Sequence, residues 1–95
     1  MYERMLKRIR EKIRNRQYVM TQHARKEMID DDLSIYDVEN GILNGKILER
    51  QKDRLTTECK YRVRGKTFKS DNVESIVKIS PNGKLVIITV YLLYE

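Results

Sequence analysis

Leu85-Val86-Ile87-Ile88-Thr89-Val90-Tyr91-Leu92-Leu93-Tyr94 is the stretch on which the fold turns. It is rich in β-branched residues, and it is too short to cross a bilayer as a helix. Apolar side chains at both parities need cover on both faces, so the stretch reads as a central strand. Pro81-Asn82-Gly83-Lys84 just before it is a hairpin turn, which makes Val73–Ser80 its antiparallel neighbour. Further upstream, Lys60–Arg64 alternates and stops at Gly65, and Ile47–Gln51 is a fourth candidate strand.

The first half of the chain has helical spacing instead. Tyr2, Met5, Leu6, Ile9 and Ile13 form a narrow apolar stripe with Arg4, Lys7, Arg8, Lys12 and Arg14 around it, a helix ending near Asn15. The width of that stripe suits packing against this domain's own sheet. Tyr18-Val19-Met20 reads as a short extended link. Thr21 is an N-cap for a second helix running to about Asp30, and Ser34-Ile35-Tyr36-Asp37 is a capping box opening a third that ends near Asn44-Gly45. Helices followed by a meander of strands predict an α+β domain, about three helices on one face of a mostly antiparallel four-stranded sheet.

Size and composition narrow the function. The chain's 95 residues suffice for a single domain, 1–95, with the first helix (1–16) added to a core from 18 onward. One cysteine, Cys59, excludes an internal disulfide. With only one histidine beside it, an ordinary zinc site lacks ligands, so neither metal nor cofactor is expected. No stretch has the form of a signal peptide or a membrane span, which makes cytoplasmic the expected location. The net charge of +6 is unevenly spread: residues 1–26 carry nine Lys/Arg and two Glu, residues 27–43 six acids and no base, and residues 44–95 eleven bases and six acids. A basic arm and a basic sheet suit a polyanion such as RNA. Asp30, Asp31 and Asp32 precede the third helix, where its dipole favours negative charge, and this explains them better than a metal cluster.

Strand parity then groups the polar side chains. If Val86, Ile88, Val90 and Leu92 face the helices, Thr89 and Tyr91 lie on the opposite face with Leu85, Ile87 and Leu93. Tyr61 and Val63 inward put Arg62 and Arg64 outward; Val73, Val77 and Ile79 inward put Lys78 outward with Glu74 and Ile76. The outer face would thus carry Arg62, Arg64, Lys78, Thr89 and Tyr91, a set suited to gripping a phosphate. His23, two residues past its N-cap, is the one side chain that titrates near neutral pH by default. Its place at a helix N-terminus favours a neutral ring, able to take a proton from a ribose 2′-hydroxyl.

Thr21-x-His23-Ala24, Asp31-Asp32-Leu33-Ser34 with a helix through Asp37-Val38, Asn44-Gly45-Lys46-Ile47-Leu48-Glu49, Tyr61-x-Val63-x-Gly65 and Ile88-Thr89-Val90-Tyr91 occur in that order. Together, over about Tyr18 to Tyr91, they resemble the DUF4258 family, itself similar to small bacterial RNase toxins with RelE-like or barnase-like sheets. The resemblance implies a RelE-like fold and a metal-independent endoribonuclease, the toxin of a toxin–antitoxin pair held by a cognate antitoxin. The family's characteristic histidine matches His23 and its terminal Thr-x-Tyr matches Thr89 and Tyr91, the catalytic set, while Arg62, Arg64 and Lys78 of the shared face, with Arg25, would hold the phosphate. Relatives often carry arginine four residues after the histidine, where this chain has Glu27. That departure keeps open a second reading, a non-catalytic RNA-binding or protein-interaction module of the same fold.

Overall fold

The structure is a computed structural model that describes residues 1–94. Its elements are α1 (Glu3–Arg14), β1 (Tyr18–Met20), α2 (Gln22–Asp30), α3 (Ile35–Leu43), β2 (Lys46–Lys52), β3 (Cys59–Lys66), β4 (Asn72–Ile79) and β5 (Leu85–Leu93). The strands form one five-stranded sheet in the order β1-β5-β4-β3-β2, parallel between β1 and β5 and antiparallel elsewhere. The four-stranded expectation is therefore corrected by one strand. The link at Tyr18–Met20 pairs with Leu85–Ile87, anchored by Leu85 N to Gln17 O at 3.0 Å and Thr21 N to Ile87 O at 3.1 Å. A strand of three residues has too few positions to show a period, so only the tertiary pairing reveals it.

The helix boundaries follow their caps. Thr21 Oγ1 accepts from Ala24 N at 3.0 Å, and both bonds of the Ser34–Asp37 capping box form at 3.1 Å. α1 packs on its own domain: Ile9 and Ile13 are buried, and Tyr2, Met5 and Leu6 lie against the same core. That core continues through Val38 and Ile42 of α3 to Tyr61, Val63, Val73, Val77, Leu85, Ile87 and Val90 on the inner sheet face.

α3 lies directly on the sheet because two glycines face each other. A Cβ on Gly65 would fall 1.8 Å from Gly41 O, and one on Gly41 would fall 2.4 Å from a Val73 methyl. The side chains of Asn40 and Asn44 then bond the backbone of Lys66 at 2.8–3.0 Å, fastening the helix to the end of β3.

Two bulges decide which side chains face outward. Ile47 pairs with Val63 and Glu49 with Arg62, so Leu48 is the extra residue in β2. Likewise Val77 pairs with Ile87 and Ile76 with Thr89, so Ile88 is the extra residue in β5. Each bulge reverses the alternation beyond it. In β5 the parity reading is corrected for the first half: Leu85 and Ile87 face the core, and only beyond Ile88 do the even positions Val90 and Leu92 take over. The outward placement of Thr89 and Tyr91 stands, now for a different reason.

Ile9→Ala should lower the unfolding free energy by about 2–5 kcal/mol, the cost of truncating a fully buried aliphatic side chain. An unchanged urea midpoint would mean that α1 is not part of the core. Gly65→Ala should cost about 3 kcal/mol, since backbone rather than a mobile side chain blocks the added methyl; Lys84→Ala, at an exposed position, is the matched control.

Candidate functional site: an acid–base pair beside a clamped carboxylate

β1 ends at Met20, and from Ile88 onward β5 has no strand on that side. α2 covers the gap with side chains. Thr21 Oγ1 donates to Ile88 O at 2.8 Å, Val90 N donates to Glu27 Oε1 at 3.3 Å, and Leu92 N donates to Asp31 Oδ2 at 2.9 Å. Glu27 and Asp31 are four residues apart, one helical turn, and meet alternate strand amides. His23 stands one turn before Glu27, its Nε2 3.0 Å from Glu27 Oε1 and its side chain 66% exposed. A carboxylate at that distance favours a proton on Nε2 and leaves Nδ1 open to act as a base. Glu27 thus occupies the position of the arginine expected from the resemblance and does two things there: it caps a strand amide and orients the histidine.

The outer sheet face holds a second cluster. Arg62, Arg64 and Tyr91 do converge there, as their parity implied, but around a carboxylate. Glu74 is 1% exposed and accepts from Arg62 Nη1 at 2.9 Å, Arg64 Nη2 at 2.8 Å, Arg64 Nε at 3.1 Å and Tyr91 Oη at 2.8 Å. Burial opposes the ionisation of Glu74, yet the hydrogen bonds from Arg62, Arg64 and Tyr91 outweigh it and hold the carboxyl below its ordinary range. Burial and the adjacent Glu74 raise the Tyr91 hydroxyl above the usual phenol range, so it stays a donor at neutral pH. Arg62 also reaches Glu49 at 3.3 Å, and Lys78 pairs with Glu58 at 3.0 Å.

The expected cationic surface is therefore corrected: Arg62, Arg64 and Lys78 are each met by a carboxylate and offer no free charge to a ligand. Arg25 lies elsewhere, in a groove beside Tyr18, Met20 and Ile29. Thr89 is half-buried, and its hydroxyl has no partner among the described residues. No hydrogen bond joins His23 to Thr89, Tyr91 or the arginines among the described residues. Among those residues, too, no group of three or more His, Cys, Asp or Glu could hold a metal ion; Asp31 is committed to the Leu92 amide. Among the described residues, no helix is long and apolar enough to cross a membrane.

Glu74 and Glu49 carry this geometry and were not among the residues singled out. Counting back from the Pro81–Lys84 turn sets Glu74 opposite Tyr91, which was a usable signal for the first. Glu49 reaches the outer face only through the Leu48 bulge, which the sequence does not announce.

The model of a domain of unknown function, DUF4258, matches residues 20–92. The chain belongs to the DUF4258 family. The match spans α2 and its contacts with β5, together with the Glu74 cluster, and it leaves out α1. Comparison with curated proteins and with solved structures yields no match.

Glu74→Gln should lower stability at pH 7 by about 3 kcal/mol, because it leaves two guanidinium groups around a neutral amide. The folded carboxyl titrates below its unfolded value, so its stabilisation is complete above the unfolded value and is lost as pH falls through the folded one. The gap between wild type and variant should therefore close in urea titrations as pH falls below the unfolded value of roughly 4.3 and on through the folded one; a gap that persists in acid would show that packing, not charge, is at issue.

Proposed function

We propose that this protein is a metal-independent endoribonuclease in which His23, oriented by Glu27, is the general base. The observation that carries the reading is the His23–Glu27 pair, fixed to the β5 backbone through Val90 N and exposed at the flank of the open sheet face. His23 Nδ1 would take the proton of a ribose 2′-hydroxyl, and the 2′-oxygen would attack the adjacent phosphorus. The 5′-oxygen then leaves with a proton from water, giving a 2′,3′-cyclic phosphate and a 5′-hydroxyl end. Glu27 would stabilise the imidazolium formed on the way. Thr89, whose hydroxyl has no partner among the described residues, would donate to a phosphate oxygen. Arg62, Arg64 and Tyr91 would act on phosphate only by sharing their donors with Glu74. The resemblance to small RNase toxins supports this reading, and a cognate antitoxin is the partner we propose for it.

One observation favours a second reading, a non-catalytic RNA-binding or protein-interaction module. Four hydrogen bonds already saturate Glu74 with the groups that would grip phosphate. The two readings separate in one experiment. Purified protein incubated with RNA in EDTA should produce 2′,3′-cyclic phosphate ends, and His23→Ala, at an exposed position, should reduce the rate by at least about 100-fold. RNA left intact at molar excess of protein would overturn the enzyme in favour of the module. Cleavage undiminished in His23→Ala would overturn the role of His23.

A further inference from the structure

Arg62, Arg64 and Lys78 are each paired with a carboxylate, so the free positive charge of this basic chain lies on other residues. One place where it converges is a groove of about 560 Å³ between the first turns of α1 and the inner face of β2 and β3. Arg4 and Arg8 line it from α1, one turn apart on the same helix face, and Arg50 lines it from β2. Arg50 is the register partner of Tyr61, so its side chain shares the inner face with that ring. Tyr2 closes the groove from the chain's start. None of the three arginines has a hydrogen-bond or ion-pair partner among the described residues. The one carboxylate in the lining, Glu3, is turned to the Met1 amine at 2.6 Å.

Three guanidinium groups brought together without an anion repel one another, and a bound anion relieves that repulsion. Guanidinium geometry suits phosphate, which it can hold through paired hydrogen bonds. Tyr2, only partly buried, adds flat apolar surface of the kind on which unpaired bases stack. The volume is that of a site for one or two nucleotide units.

We infer that the Arg4–Arg8–Arg50 groove binds the phosphodiester backbone of single-stranded RNA, with a base against Tyr2. Naming RNA as the ligand rests on the reading proposed above, while the site itself lies apart from His23. From β5 to β2 is three strand spacings, about 14 Å, so the groove is an anchor for the strand rather than a place where it reacts. It also lies largely outside the family match, since Arg4 and Arg8 precede residue 20.

The test uses a fluorescein-labelled 2′-O-methyl oligouridine, which cannot undergo 2′-hydroxyl attack, and reads anisotropy against salt in EDTA. Arg4→Gln, Arg8→Gln, Arg50→Gln together should weaken binding at low salt by at least about tenfold and reduce the log–log salt slope by about 2, three phosphates' worth on a single strand. The control triple Arg14→Gln, Lys69→Gln, Lys84→Gln removes the same charge from exposed positions elsewhere. It should weaken binding by less than about threefold. Equal losses in the two triples would overturn the proposal, as would displacement of the probe by polyglutamate as readily as by unlabelled oligouridine. Arg50→Lys keeps the charge but loses the fork; affinity intermediate between wild type and the arginine triple is expected, and no loss at all would reject recognition by guanidinium geometry. Because the probe is uncleavable, a failure here leaves the His23 test standing, and a failure there leaves this one.

Discussion

β5 is hydrogen-bonded along its length to β4, yet on its other side β1 accompanies it for only three residues. Backbone amides in that position must find acceptors, because an unpaired buried donor costs about as much as several surface interactions contribute. α2 and its caps supply them through Glu27 and Asp31, which accept from the amides of Val90 and Leu92, while Thr21 donates to the Ile88 carbonyl. Much of the domain's arrangement follows from this. The helix has to run along the flank of the strand, Thr21 has to serve both as its N-cap and as a donor to the bulge, and His23 is carried to the rim of the open sheet face. Of the acids that could be taken for a reactive cluster, Asp31 is occupied by the backbone.

The outer face shows the same economy of charge. Glu49, Glu58 and Glu74 meet Arg62, Arg64 and Lys78, while Lys46, Lys60 and Lys66, on the same face by register, have no ion-pair partner among the described residues. The first two arginines hold the sheet together across β3 and β4 through a carboxylate that is removed from water. A surface built this way is rigid and specific in its hydrogen bonding around Glu74, and these two arginines attract a polyanion at a distance only weakly. Long-range attraction comes instead from the unpaired cations, including those of α1.

What could be read in advance, and what could not, divides along one physical line. Local signals were sufficient for the helices: Thr21 and the Ser34–Asp37 box cap where their side-chain chemistry requires it, and Ile9 and Ile13 are buried as their spacing implies. They were sufficient for β3 and β4, where alternation is regular and both arginines and Lys78 point outward. They failed wherever the answer depended on a neighbour distant in sequence. β1 is a strand because Leu85–Ile87 accepts it, and nothing inside Tyr18–Met20 says so. Uniformly apolar residues across Leu85–Leu93 hide the Ile88 bulge, since parity cannot be assigned when both parities look alike. The outward face of Glu49 depends in the same way on Leu48. For the candidate site, the participants were visible while their pairing was not: arginines read as free cations turned out to share one buried carboxylate, and Glu27, which looked like a loss, supports both the strand and the histidine.

The covering of β5 by α2 also bears on how this protein avoids its own kind. A strand flank with open amides is a template on which a second chain can add a strand, and the apolar character of Leu85–Leu93 would make such growth persistent. By holding the amides of Val90 and Leu92 with carboxylates, α2 acts as a stopper on that template. Aggregation through this flank then requires the helix to peel away first, so the solubility of the chain depends on how seldom α2 opens rather than on the composition of the strand it protects.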